Sequence, residues 1–140
     1  MRMIGMACFT SIIVLSVVCP FNPISLCAQE SAPYVGTWLR VEKYANGAPL
    51  DVKETATLVL EENAFASESK GVPGAECDNS GRLEVTGDTL TMTVTESTCP
   101  SVITVGSAVK STYSISADKT RLTMINTEWG YAYKEVLIRQ

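Results

Sequence analysis

The sequence predicts an all-β chain, an eight-stranded antiparallel up-and-down β-barrel, and three observations carry that expectation. From Pro33 onward no extended window shows the 3.6-residue apolar period of a helix. Short β-branched, alternating segments recur instead, punctuated by Gly, Pro, Asn and Asp. When successive segments are folded back about those turns, apolar residues fall opposite apolar residues, as antiparallel pairing requires.

The chain has 140 residues, enough for one domain. Its start is read as a cleavable signal peptide. Arg2 supplies a positive charge, residues 4–18 form an apolar run, and Pro20 and Pro23 break it. That run is shorter than the roughly 20 residues needed to cross a bilayer, so no membrane span is expected. Cleavage is expected after Ala28, leaving a short extension over residues 29–34 and a barrel domain over 35–140. Lipid attachment at Cys27 or Cys19 is the weaker alternative, because Leu26 and Val18 stand where such a signal places a small residue.

The full chain carries 11 basic and 15 acidic residues and no histidine. Removing residues 1–28 takes Arg2 and no acidic residue, so the mature net charge moves from −4 to −5. Such an acidic chain has no electrostatic footprint for nucleic acid. Cys8, Cys19 and Cys27 leave with the signal. Cys77 and Cys99 remain, an even number in an exported chain, which predicts one disulfide and a periplasmic or extracellular address.

The first strand is expected from Val35 to Tyr44, ending at Asn46-Gly47, a dipeptide that accepts positive φ at both positions. The second runs from Glu54 to Glu61 and the third from Ala64 to Ser69, with Leu60 opposite Phe65. A Gly/Pro loop over residues 70–76 follows. The fourth and fifth strands turn at Gly87-Asp88, which sets Val85 against Leu90 and Leu83 against Met92. Extending that ladder brings Cys77 within one position of Cys99, close enough for a structural bridge. The sixth strand, Ala108 to Ser116, and the seventh, Arg121 to Asn126, set Ile115 against Leu122 and Tyr113 against Met124. A turn over Thr127–Gly130 would pair Asn126 with Tyr131 and so bring Met124 opposite Tyr133 in a last strand that ends at Arg139.

Open edges on such a sheet invite association, and closure of first strand on last removes them. Those strands run antiparallel in an even-stranded meander, which places Arg139 beside Trp38, its guanidinium over the indole. Gly36, two residues before Trp38, lets the chain turn tightly into that floor.

Tyr34-Val35-Gly36-Thr37-Trp38, an eight-strand meander and a late Arg together resemble the lipocalin superfamily, in particular short bacterial exported lipocalin-like domains, over residues 34–139. The segment from Cys77-Asp78-Asn79-Ser80-Gly81 to Cys99-Pro100 is similar to the disulfide-bearing hairpin of those chains. The resemblance implies a cup with Trp38 and Arg139 at its base and a lumen that takes a small apolar molecule. The chain departs from the pattern in lacking a helix beside the barrel, so the cup should be shallow. Trp38 also shares its face with Arg40, Glu42 and Tyr44. Either a bulge resets the alternation after Trp38, or the wall above it is polar.

Without histidine there is no Ser-His or Cys-His nucleophile pair, and no calcium-type loop is present, so neither enzyme activity nor a metal or other cofactor is expected. Tyr113, Met124, Tyr131 and Tyr133 form the candidate lumen wall, with Met92 and Phe65 on the same side, and Ala56, Ser67 and Ser69 leave it room. These side chains either bind a ligand or simply fill a small barrel. Two further functions stand beside ligand binding: a protein-binding envelope module such as a protease inhibitor, using residues 29–34 and the loops at 70–76 and 100–107, or a structural barrel. The domain is expected to be a monomer.

Overall fold

The computed structural model describes residues 31–74 and 76–140. The expectations for the signal peptide, its cleavage after Ala28 and lipidation at Cys19 or Cys27 fall outside the described residues. Those residues are all-β: β1 (Gly36–Ala45), β2 (Ala48–Leu50), β3 (Thr55–Leu60), β4 (Ala64–Lys70), β5 (Cys77–Thr86), β6 (Thr89–Ser97), β7 (Ala108–Ile115), β8 (Arg121–Asn126) and β9 (Tyr133–Arg139). Every neighbouring pair is antiparallel, β1 pairing with both β2 and β3 and the rest following in chain order to β9, and β1 also pairs with β9, closing the ring.

Nine strands occupy eight places. β1 pairs with β3 through Gly36–Leu39 and with β2 through Lys43–Ala45, so β2 and β3 are two pieces of one stave, interrupted at residues 51–54. The β1–β2 turn is made by Asn46 and Gly47, both at positive φ, 48° and 83°. That is the geometry a two-residue hairpin turn demands, and Asn-Gly meets it with little strain.

Turn length decides register. Leu60 pairs with Phe65, Leu83 with Met92, Val85 with Leu90, Tyr113 with Met124 and Ile115 with Leu122. The β8–β9 connection corrects the sequence reading. It spans residues 127–132, two longer than expected, so Asn126 faces Tyr133 and Met124 faces Glu135. A slip of two preserves the inward face but leaves Tyr131 in the loop.

Two bulges shape the wall. In β1, Arg40 pairs with Leu137 and Glu42 with Val136, so Val41 is the extra residue. Both anticipated alternatives hold at once: Arg40 joins Trp38 on the inner face, and after the bulge Lys43 points inward while Glu42 and Tyr44 move outside. In β6, Gly81 pairs with Val94 and Ser80 with Glu96, which makes Thr95 the extra residue. That added residue moves the register by one, and Cys77 then stands across from Cys99, with Cα atoms 5.4 Å apart and the disulfide formed. Gly81 makes the crossing feasible, since a Cβ there would lie 1.9 Å from the Thr93 carbonyl oxygen.

The core gathers Trp38, Leu58, Leu60, Phe65, Leu83, Leu90, Val94, Leu122, Met124 and Leu137 inside the ring. Tyr34 is buried with them, its ring 6.0 Å from that of Tyr113 in an edge-on contact. Ala32 and Tyr34 therefore pack as part of the barrel floor, and Tyr34, expected as the last residue of the extension, is a core residue.

Candidate functional site

Chain direction alone separates the two ends of the barrel. β1 rises from the base, so the connections at 61–63, 87–88 and 116–120 lie at the base and those at 51–54, 71–74, 98–107 and 127–132 surround the opposite end.

The base is sealed. Trp38 is fully buried and its indole N–H donates to the Tyr34 carbonyl at 2.8 Å. The Arg139 guanidinium lies 4.3 Å above the indole ring. It donates to the carbonyls of Val35 (2.8 Å), Pro33 (2.6 Å) and Lys119 (2.8 Å). A flat cation that stacks on a ring and donates to several carbonyls at once is a use to which arginine, not lysine, is suited. Gly36 sits beneath it at φ 148°, where a Cβ would meet the Arg139 guanidinium at 2.5 Å.

The other end opens into a cup of about 860 Å³. Its lower wall is apolar: Leu58, Phe65, Met92, Val94, Met124 and Leu137. Ala56, Ser67 and Ser69 line it too, and their small side chains leave the space that larger residues would fill. One side is ionic. Arg40 donates to Glu54 at 2.5 Å and to Glu135 at 2.7 Å, and Lys43 donates to the same Glu54 oxygen at 2.8 Å. Tyr133 completes the group through its hydroxyl, which donates to Glu135 at 3.1 Å.

The two cations and two carboxylates balance in charge, which is what lets them lie inside a barrel. Burial opposes the charge on Arg40, but the bonds from Glu135 and the field of Glu54 more than offset it and raise its pKa. The Lys43 bond holds the Glu54 carboxyl below its ordinary value, against a smaller opposing effect of burial. Burial first, then Glu135, pushes the Tyr133 hydroxyl well above its usual range, so it stays a donor. Among the described residues, Arg40 Nε is a buried side-chain donor that has no hydrogen-bond partner.

Of the sequence-predicted lumen residues, Phe65, Met92, Met124 and Tyr133 line the cup. Tyr113 does not. It points inward from β7 nearer the base and packs on Tyr34. Tyr131 is exposed in the 127–132 loop, 6.3 Å from Trp129 and 6.4 Å from Tyr133 between ring centroids. Trp129, which the sequence places in a turn, stands at the mouth with its ring 5.3 Å from Tyr133. Asn126 and Asn46 hold that loop in place. Asn126 Oδ1 accepts from Glu128 N at 2.9 Å while its amide donates to Lys110 O at 2.9 Å, and Asn46 Oδ1 accepts from Ala132 N at 3.0 Å.

The ionic group was missed as a group, although its signals were present. Arg40 lies two residues from Trp38, and Glu135 lies between Tyr133 and Leu137 in strict alternation. What the sequence could not show was the Val41 bulge that turns Lys43 inward beside them.

The chain folds as an eight-stranded antiparallel β-barrel. Among solved structures, it is similar to a redesigned β-barrel, with a TM-score of 0.50 at 16% identity over 77% of this chain and 92% of that one. At that identity the likeness speaks for the fold alone. No protein-family model matches the sequence, and no curated protein matches it.

Proposed function

We propose that this is an exported, lipocalin-like binding protein that takes up a small, mainly apolar molecule in the cup. The observation that carries the reading is the cavity itself: about 860 Å³, apolar below, with the ionic group of Arg40, Lys43, Glu54 and Glu135 on one side. A volume of that order suits a compact ligand of drug-like size. The lower wall would take its apolar body, and the ionic side formed by Arg40, Lys43, Glu54 and Glu135 would face its polar end. The disulfide and the apolar run near the start of the chain support export, to the periplasm or beyond.

The test uses 1-anilinonaphthalene-8-sulfonate, an apolar ring system with one anionic acceptor, followed by fluorescence and by native mass spectrometry. One probe per barrel is expected to bind. Ala56→Trp fills the cup from its wall, and is expected to abolish binding while leaving the melting temperature near that of the parent. Equal probe binding by parent and Ala56→Trp would overturn the proposal, as would a parent that takes up no probe.

The protein-binding alternative would use the loops at the mouth; of its N-terminal segment, Tyr34 is buried in the floor.

A further inference from the structure

The two ends of the barrel differ in chemistry as well as in closure. The base turns present Glu61, Glu62, Asp88 and Asp118 to solvent. At the mouth, residues 97–109 carry no charged side chain, and Gly71, Val72, Pro73 and Gly74 of the neighbouring loop carry none. Of the seven large apolar side chains exposed among the described residues, five belong to the mouth end: Val102 (77% exposed), Val105 (51%), Trp129 (50%), Leu50 and Tyr131. Charges do occur there: Lys53 lies 3.7 Å from Asp51, Lys70 pairs with Glu68, and Glu128 accepts from the Lys110 backbone N–H at 3.3 Å while the Lys110 residue is exposed. Glu76 is exposed at the edge of the same end.

The 98–107 loop is built to hold its tips outward. Val102 and Ile103 both donate their N–H to the Cys99 carbonyl, at 2.9 and 3.0 Å, and Ser107 N–H donates to Thr104 O at 3.0 Å. That turn tucks Ile103 against the core and leaves Val102 and Val105 in water. The disulfide anchors it at one end, and the Gly106 bond to Val94 O, 2.8 Å, anchors it at the other. Val72, Val102 and Trp129, from three different loops, all border the cup.

We infer that the mouth of the barrel docks on a lipid surface of zwitterionic headgroups, with the Val102, Val105 and Trp129 tips inserted at the level of the headgroups and the opening facing the bilayer. Three features favour lipid over a protein partner. Tips on separate loops around an aperture offer no continuous face of the roughly 800 Å² per partner that a stable protein interface uses. Trp and Tyr beside small aliphatic side chains are the residues that settle at the membrane–water boundary. The lysines at the rim are scattered, and Lys53 and Lys70 lie beside carboxylates, so this acidic molecule gains little from anionic lipid and an uncharged surface is the fitting one. Docking in this orientation would let a mainly apolar ligand pass between bilayer and cup without crossing water; that last step alone rests on the binding function proposed above.

The test uses the chain from residue 29, which holds the complete closed ring, with phosphatidylcholine vesicles brominated along the acyl chain. Trp129 is expected to shift to the blue and be quenched. Trp38, buried under Arg139 at the far end, should keep its emission, so Trp129→Phe should remove the quenchable signal. Val102→Asp/Val105→Asp alters only exposed side chains and should melt like the parent while its partition coefficient falls by about tenfold per tip. Replacing a third of the lipid with phosphatidylglycerol should weaken binding. An unquenched Trp129 in the parent, unchanged partition of the double Asp variant, or binding to anionic vesicles only would each overturn the inference. So would concentration-dependent dimerisation through the same tips in the absence of lipid binding, which would assign the rim to a second copy. Ala56→Trp, which blocks the cup, should still dock, so failure of ligand binding and failure of docking are read separately.

Discussion

Replacing Gly81 with alanine should damage the barrel more than any other single added methyl. Its backbone is not in the left-handed region, so the objection is one of space alone. The new Cβ would stand 1.9 Å from the Thr93 carbonyl oxygen and 3.0 Å from the Phe65 ring, where ordinary contact begins near 3.4 Å. Relief requires β5 and β6 to part by more than an ångström beside the Thr95 bulge. About two ladder hydrogen bonds weaken at ~1 kcal/mol each, and overpacking against the buried Phe65 and Val94 adds ~1–3 kcal/mol. The expected loss is therefore about 3–5 kcal/mol, a fall in melting temperature of roughly 12–20 °C for a domain of this size. Circular dichroism melts of parent and Gly81→Ala, each oxidised and each reduced, provide the measurement. The variant should also gain less from its disulfide, because the parted strands no longer set Cys77 against Cys99. A variant that melts within roughly 3 °C of the parent would refute the claim that β6 crosses β5 in contact at this residue.

Other outcomes can be checked with the same melts and with urea. Trp38→Ala removes the floor, the indole bond to Tyr34 and the surface under Arg139, and should cost about 3–5 kcal/mol by urea unfolding. Reduction of Cys77–Cys99, which spans 22 residues, should lower stability by about 3 kcal/mol, read as a shift in the urea midpoint. Glu54 has a pKa lower in the folded chain than its ordinary 4.5, so the ionised form favours folding. Its contribution is fully present above pH 4.5 and disappears as the pH falls through the depressed folded value. The stability gap between parent and Glu54→Gln should thus be constant from pH 7 to about 5.5 and close in more acidic buffer. Persistence of that gap at pH 2 would remove Glu54 from the ionic group.

Sequence reasoning reached the barrel because hairpins with short turns leave little choice of register. Once Gly87-Asp88 is the turn, Leu83 must meet Met92, and the inward faces of β5 and β6 follow. The same logic weakened where the connection lengthened: nothing in Thr127–Ala132 marks a six-residue loop, and the Asn126 and Asn46 bonds that hold it join parts distant in sequence. Bulges were the second obstacle. An extra residue such as Val41 or Thr95 has no signature of its own, because its effect is to turn the residues beyond it to the other face. Arg40 and Glu135 were therefore visible as alternating positions but not as partners of Lys43 and Glu54. Tyr34, the last residue of the expected extension, packs into the floor through a contact with Tyr113 that lies far away in sequence.

The seam between β1 and β9 also sets an order of events. Arg139 bonds to Val35 across 104 residues of chain, whereas the disulfide joins neighbours on one hairpin. Local hairpins close on the microsecond scale, and contacts of high sequence separation come late. Until β9 arrives, β1 and β8 are bare edges and the apolar lining faces solvent, a state prone to aggregation. Pulse-labelled hydrogen exchange during refolding should find the β5–β6 amides protected first and those of the β1–β9 seam last.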